Sequence, residues 1–121
     1  MAEHYTSFER GGRRWLLQRL TAVFLIGVLA FHFILLHFVN HAAEITFAGT
    51  TARMSQWGYF ATMWLFLATA TFHGVNGVYN ALVNMGLSGT QARVVGGILA
   101  LAGIGLVAQG TRVALAMTNL V

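Results

Sequence analysis

The sequence contains no cysteine. This absence excludes disulfide bonds, thiolate metal ligands and haem attached through thioether links. The chain also has no flavin-binding fingerprint and no segment that would form a soluble domain. A redox centre here would need other ligands, and histidine, which occurs five times, is the obvious candidate.

Charged residues are scarce as well. They make up 8% of the chain against 57% hydrophobic residues, and the mean hydropathy is +0.69. Soluble domains carry about 25% charged residues, so the composition indicates an integral membrane protein. All seven basic residues are arginines, opposed by three glutamates. Because the arginines are scattered and form no basic patch, the pI of 10.8 does not indicate a nucleic-acid-binding surface.

Three apolar segments, residues 15–39, 57–83 and 92–117, each exceed the roughly 20 residues that span a bilayer. They predict an all-α fold of three transmembrane helices in a single domain, residues 1–121. Residues 1–14 are polar and are predicted to be a flexible lead-in, and the stretches between the segments are predicted loops. The first segment is longer than a signal-peptide core, and no small-residue cleavage site follows it, so it is expected to remain as an anchor.

The distribution of arginines predicts the orientation. Five lie on the side of the N-terminus and of the second loop: Arg10, Arg13, Arg14, Arg19 and Arg93. Arg53 and Arg112 lie on the opposite side. Basic residues are enriched in cytoplasmic flanks, which predicts a cytoplasmic N-terminus and an outside C-terminus in the plasma membrane.

The third segment carries a stripe of small residues, Gly96, Ala100 and Gly103, with Gly110 further on. Small side chains allow another helix to approach closely. Three helices form a thin bundle, so a partner subunit is expected beside this chain.

Ionisable residues inside membrane segments are costly and usually functional, which singles out Arg19, His32, His37 and His73. At 1.5 Å per residue, His73 is predicted to lie roughly 10 to 16 Å from the inner boundary. The residues around it are small or short: Thr69, Ala70, Gly74, Asn76 and Gly77. This cleared face favours axial haem ligation by His73, with a second histidine across the ring. A buried neutral histidine in an interhelical hydrogen bond is the equal alternative.

His32 and His37 lie five residues apart, about 140° around a helix, so they are not expected to face one ligand. Bulky neighbours surround His32, and a haem there is less well supported. His37 shares a stripe with Asn40, His41 and Glu44 at the spacing of a helical metal site. A polar, hydrated helix end at the membrane surface explains the stripe more simply.

Arg19 lies one turn beyond Trp15, near enough to the inner surface for its guanidinium to reach water. It is either a simple positive-inside anchor or a partner for haem propionates or a quinone carbonyl, because a guanidinium is a permanently charged donor to such oxygens.

Two stretches carry a resemblance to a known family. The stretch from Trp15 to Ala22, WLLQRLTA, resembles the start of a succinate dehydrogenase membrane anchor subunit. The stretch from Phe72 to Asn80, FHGVNGVYN, resembles the His-x-x-x-Gly segment that bears that family's haem-ligating histidine. The resemblance covers the first two helices, includes the three-helix length, and is closest to the D-type subunits of haloarchaea.

This resemblance implies an anchor of complex II, the succinate dehydrogenase of the respiratory chain and the tricarboxylic acid cycle. Its partners would be a second membrane anchor subunit, an iron-sulfur subunit and a flavoprotein on the cytoplasmic face. Electrons from succinate would reach a membrane quinone, typically menaquinone in archaeal members. The succinate chemistry itself would not belong to this chain.

The resemblance also implies site residues. His73 matches the haem b ligand, with the other axial histidine from the partner anchor. Some relatives hold two haems, and His32 is then preferred over His37 for the second, about 10 Å away in depth. Many bacterial relatives end the second helix with an Asp-Tyr pair that meets quinone, whereas this chain has Asn84 and Met85. That quinone contact therefore does not carry over, and Arg19 is the best contributor from this chain.

Two other classes of function remain open from the sequence. A small channel or transporter subunit could line a polar path with Arg19, His32 and His73. A purely structural membrane assembly protein would need none of them.

Overall fold

The structure is a computed structural model that describes residues 2–118, with side chains from residue 11 onward. Four α-helices carry the architecture: α1 (Ala2–Ile34), α2 (Phe47–Met54), α3 (Trp57–Asn84) and α4 (Gly89–Ala116). A π-helical turn, Leu35–Val39, continues α1, and a short 3₁₀ turn, Ala42–Glu44, follows. The prediction of an all-α chain is confirmed.

Helix α1 starts much earlier than the sequence predicted. The predicted flexible lead-in over residues 1–14 is helical from Ala2, and it runs without a break into the apolar segment. Each glycine in a helix costs about 1 kcal/mol relative to alanine, which is why Gly11 and Gly12 suggested a break. Helix propagation is cooperative, and the long helix that follows carries the helical conformation through both glycines.

The first predicted loop also contains ordered structure. Helix α2 lies within it and begins where the Thr46 hydroxyl accepts a hydrogen bond from the Gly49 amide, 3.0 Å away. Such an N-cap satisfies one of the unpaired amides of the first turn. Upstream, the backbone amide of Asn40 donates to the Leu35 carbonyl at 3.0 Å, the i→i−5 pattern of a π turn. The segment between the two long helices is therefore structured rather than open.

A tight turn connects α3 to α4. Gly86 has a φ of +106°, its amide donates to the Val83 carbonyl, and the Leu87 amide donates to the Leu82 carbonyl, both at 3.0 Å. These bonds form the glycine-terminated helix end known as a Schellman motif. The chain reverses within a few residues, so α3 and α4 pack as an antiparallel pair.

Helix α3 is the middle helix and packs against both α1 and α4. The glycine stripe of α4 faces it. A Cβ on Gly96 would lie 3.2 Å from the Tyr79 ring, one on Gly103 would lie 3.1 Å from Val75, and one on Gly110 would lie 2.5 Å from Leu67. The predicted close approach of a helix to these residues is thus made by α3 of the same chain.

Two helical stretches, Gly11–Val39 and Gly89–Ala116, are long and apolar enough to cross a membrane. Only 6% of the most apolar window of each is buried, so neither resembles the core helix of a soluble protein. Large apolar side chains point outward, with Leu101 71% and Ile104 66% exposed. Such an extensive apolar surface needs lipid or partner subunits to cover it.

Candidate functional site

His73 lies where the middle of α3 meets the middle of α1. Its Nδ1 is 3.0 Å from the Thr21 hydroxyl oxygen, and its Nε2 is 3.4 Å from the amide nitrogen of Gln18. The same Gln18 nitrogen donates to the backbone carbonyl of His73 at 3.2 Å. Asn76, one turn further along α3 and buried, donates to the Gln18 amide oxygen at 2.7 Å. Four polar side chains therefore form one network between the two helices.

The donors and acceptors of this network support one assignment of the proton on the His73 ring. The Thr21 hydroxyl has one proton, and it donates a hydrogen bond to the backbone carbonyl of Gln18 at 3.0 Å. With its proton directed to that carbonyl, Thr21 meets the His73 ring as an acceptor, and we assign the ring proton to Nδ1, which then donates a hydrogen bond to Thr21. In a neutral imidazole the other nitrogen, Nε2, then holds a lone pair.

The orientation of the Gln18 side-chain amide follows from the same network. Its oxygen accepts from Asn76, and its nitrogen faces the His73 carbonyl. A flipped amide would bring two oxygens face to face at the His73 carbonyl and two NH₂ groups face to face at Asn76. The hydrogen-bond pattern thus assigns the Gln18 nitrogen to the His73 side.

Both ring nitrogens of His73 meet side chains of α1, which is the interhelical contact expected of a structural histidine. The same arrangement also allows the imidazole to bind a metal centre through Nε2. Histidine ligands usually donate their other ring N–H to a fixed acceptor, which sets the tautomer and the ring orientation, and Thr21 is such an acceptor here. At 3.4 Å the Gln18 nitrogen makes only a long contact with Nε2. A ligand at Nε2 requires that this amide turn aside, and its bonds to the His73 carbonyl and to Asn76 are the contacts that would have to adjust.

The face expected to be cleared around His73 is only partly open. A Cβ added at Gly74 would meet nothing within 4 Å, in agreement with the expectation. A Cβ added at Gly77 would lie 3.4 Å from the Gln18 nitrogen. The small residue at position 77 therefore accommodates a side chain of α1, and the open space lies on the Gly74 side.

His32 lies on the same face of α1 as Gln18 and Thr21, eleven residues beyond Thr21. At 1.5 Å per residue it is about 17 Å further along the helix than the level of His73. The expected separation of about 10 Å between His32 and His73 is therefore too short. The sequence did not reveal how α1 and α3 align, and this alignment places His73 beside Thr21. The Nδ1 atom of His32 is buried and has no hydrogen-bond partner.

The stripe of His37, Asn40, His41 and Glu44 does not form a metal site. His37 donates from Nδ1 to the Phe33 carbonyl at 3.1 Å and stacks on the Phe33 ring. The π turn ends at Val39, and His41 has a φ of +51°, so the regular helix that would align the stripe is broken. No group of three or more metal-binding side chains occurs within the described part of the chain.

Arg19 points away from the network. It is exposed, and its guanidinium carbon lies 4.5 Å from the centroid of the Trp15 ring. Such a cation–π contact holds the charge near the level of Trp15. Arg19, His32 and His73 therefore do not line one common path.

Sequence reasoning missed three members of the network, Gln18, Thr21 and Asn76, as functional residues. A signal was available, because Gln18 and Thr21 are polar residues three positions apart in an apolar segment, and Asn76 is three positions from His73. Residues three or four apart share one face of a helix. The sequence could not show that these two faces meet, because this depends on how α1 is aligned against α3.

Comparisons with known proteins give one match. Residues 2–112 match the model of the succinate dehydrogenase/fumarate reductase transmembrane subunit family. Searches of curated proteins and of solved structures found no match. The family model covers most of the chain and includes all four residues of the His73 network. The chain therefore belongs to the family of transmembrane subunits of succinate dehydrogenase and fumarate reductase.

Proposed function

We propose that this chain is a D-type, haem b-binding anchor of a succinate:quinone oxidoreductase. The single observation that carries the proposal is the His73 network, in which Thr21 accepts a hydrogen bond from Nδ1 and the Nε2 lone pair has only a long contact with the Gln18 amide. His73 would hold the haem iron from this chain, together with a histidine from the partner anchor. The haem, when bound, supplies a one-electron carrier inside the membrane.

The residues of this chain have distinct roles in that site. His73 would bind the haem iron. Thr21 orients the ring and increases the basicity of Nε2, because it accepts a hydrogen bond from the other ring nitrogen. Gln18 and Asn76 join α1 to α3 beside His73, and their bonds adjust when Nε2 takes a ligand. Each interhelical hydrogen bond within a membrane contributes about 0.6 kcal/mol, so the network mainly fixes the geometry.

Arg19 is exposed and is therefore accessible to a partner subunit or to a ligand held by that subunit. Its guanidinium is a donor to a haem propionate or to a quinone carbonyl. A second haem would use His32, whose Nδ1 is buried without a partner. The quinone, menaquinone by the resemblance to archaeal members, would be held mainly by the partner subunits, because Met85 at the end of α3 is exposed and offers no phenol.

The proposal includes a third membrane span. Helix α3 has 28 residues, the same length as α4, and contains no Asp, Glu, Lys or Arg. Its polar residues, such as His73, Asn76 and Asn80, lower its hydropathy. They are tolerated in a membrane helix when they face a neighbouring helix and are hydrogen-bonded there, as His73 and Asn76 are.

Co-purification tests the assembly. A tagged copy of this chain, extracted from its native membrane in mild detergent, is expected to bring down a flavoprotein, an iron-sulfur subunit and a second anchor in equal amounts. It is also expected to retain succinate-dependent quinone reduction. Recovery of the chain without a flavoprotein would contradict the proposal. Ion flux through vesicles that contain only this chain would favour the channel alternative.

Site-directed labelling tests the orientation, and the absence of cysteine provides a clean background. Cysteines are introduced singly at two exposed positions, Ala43 before α2 and Ser88 in the turn between α3 and α4. With a membrane-impermeant maleimide, Ala43→Cys is expected to label in intact cells, and Ser88→Cys only after the membrane is opened. The reverse pattern would contradict the predicted orientation. Equal labelling of both positions in intact cells would show that α3 does not cross the membrane and would contradict three spans.

A further inference from the structure

A cavity of about 360 Å³ lies at the inner end of the bundle, where α1, α3 and α4 meet. Two arginines from different helices line it, Arg14 of α1 and Arg93 near the start of α4. Tyr79 and Asn76 of α3 contribute polar groups to the same wall. The remaining lining is apolar, so the cavity combines two cations with a hydrocarbon-like surface.

No described side chain neutralises these two arginines. Both are exposed, and neither makes a hydrogen bond or an ion pair among the residues whose side chains the structure describes. Glu44 is the only acidic residue in that part of the chain. It lies 30 positions beyond Arg14, past the opposite end of α1, at a distance on the order of 45 Å along a helix. Among the residues whose side chains are described, the cavity therefore presents two cations and no acidic group.

An apolar groove continues from this cavity along the seam between α3 and α4. It has a volume of about 510 Å³ and shares Phe72, Val75 and Ala100 with the cavity. It extends to Val107 and Ala108. From Arg93 to Ala108 the rise along α4 is about 22 Å, which exceeds the roughly 15 Å half-thickness of a bilayer's hydrocarbon core. The groove is long enough for one lipid tail.

A second groove on the same helix pair provides an internal comparison. It has a similar volume, about 490 Å³, and is lined by residues such as Leu67, Ala102 and Leu106. No charged residue lines it. Of these two grooves, only the first leads to a pair of arginines.

We infer that the cleft of Arg14, Arg93 and the groove through Ala100 binds one anionic phospholipid. The phosphate accepts hydrogen bonds from the two guanidinium groups, which are multi-donor partners for phosphate oxygens. One hydrocarbon chain of the lipid lies along the groove, against Phe72, Val75 and Ala100. Basic pockets between membrane helices on the cytoplasmic side suit anionic headgroups. This inference is independent of haem at His73.

The test uses the intact complex reconstituted in phosphatidylcholine vesicles that contain a minor fraction of phosphatidylglycerol. The complex is re-extracted, and the retained phosphatidylglycerol is counted per complex by mass spectrometry. We expect Arg14→Gln or Arg93→Gln to weaken retention about five-fold and the double variant about thirty-fold, because each arginine near an anionic surface contributes that factor. Arg112→Gln, which removes an exposed arginine at the other end of α4, is the charge-matched control and is expected to change nothing.

A second pair of variants tests the groove without changing charge. Ala100→Leu fills the junction of cavity and groove, whereas Ala102→Leu places the same side chain in the other groove. Phosphatidylglycerol retention is expected to fall only in Ala100→Leu. Equal retention in the double arginine variant and in the wild type would overturn the inference. Loss in the arginine variants without loss in Ala100→Leu would mean that an isolated phosphate binds and that no lipid lies in the groove. Loss of haem instead of lipid in the arginine variants would assign the arginines to propionates and would also overturn it.

Discussion

Replacement of His73 by alanine is expected to remove the haem b signal of this site from the purified complex. The lone pair of Nε2 is the only ligand that this chain offers in the network, and alanine supplies no substitute. Helix pairing is expected to survive, because Gln18 donates to the backbone carbonyl of residue 73 and Asn76 donates to Gln18, and neither bond uses the imidazole. The reduced-minus-oxidised absorption spectrum, with haem counted per complex, is the measurement.

Thr62→Ala is the matched control for His73→Ala. Thr62 lies on the same helix, and its hydroxyl donates only to the Gly58 carbonyl of its own helix, at 2.8 Å. We expect an unchanged spectrum for this variant. An unchanged spectrum in His73→Ala would show that the imidazole is a structural hydrogen-bonding group, and the haem assignment would then be wrong.

Thr21 offers a second test, because its replacement would not change haem binding if His73 had a purely structural role. Thr21→Val keeps the shape of the side chain but removes the acceptor of the Nδ1 proton, so the imidazole becomes a weaker base. Loss of such a partner typically weakens metal binding about 10- to 100-fold. We expect lower haem occupancy and a higher midpoint potential, with recovery in Thr21→Ser. A potential that is identical in all three proteins would contradict the role assigned to Thr21.

Replacement of Gly110 by valine is expected to have the largest effect on stability. A Cβ at this position would lie 2.5 Å from the Leu67 side chain, so α3 and α4 must separate or Leu67 must change its conformation. Overpacking of this kind typically costs 1–3 kcal/mol, about enough to lower the yield of assembled complex several-fold. Thermal unfolding in detergent and the yield of intact complex are the measurements.

Gly97→Val is the matched control for Gly110→Val. Gly97 lies on the same helix, and an added Cβ there would meet nothing within 4 Å. Because the two substitutions change helix propensity equally, the difference between them isolates the contact with Leu67. Equal loss of stability in both variants would contradict the packing of α4 against α3 through its glycine stripe.

The long helices were predictable because apolar segments of this length have few alternatives. The predicted segments 57–83 and 92–117 differ from α3 and α4 by one residue at most at three of the four ends, and by three residues at the start of α4. Helix α2 was missed because its eight residues carry no strong apolar pattern, and only the Thr46 cap fixes its start. The N-terminal extension of α1 was missed because the glycine pair suggested a break, and glycine alone does not stop a helix that continues on both sides.

The site was only half predictable. The sequence identified His73, because an ionisable residue in an apolar segment is conspicuous whatever its neighbours. It could not identify Gln18, Thr21 and Asn76 as its partners, since a single helix reveals which residues share a face but not which face of another helix they meet. The register of α1 against α3 provides this information, and it also places His32 further from His73 than expected.

We propose that the Nε2 lone pair of His73, oriented by the hydrogen bond from Nδ1 to Thr21, binds haem iron once the Gln18 amide turns aside. An absorption spectrum of the purified complex, with haem counted per copy of this subunit, tests it most directly. The account predicts a bis-histidine haem b spectrum with at least one haem per copy. A complex that contains this subunit in full amount, reduces quinone with succinate and holds no porphyrin would contradict it.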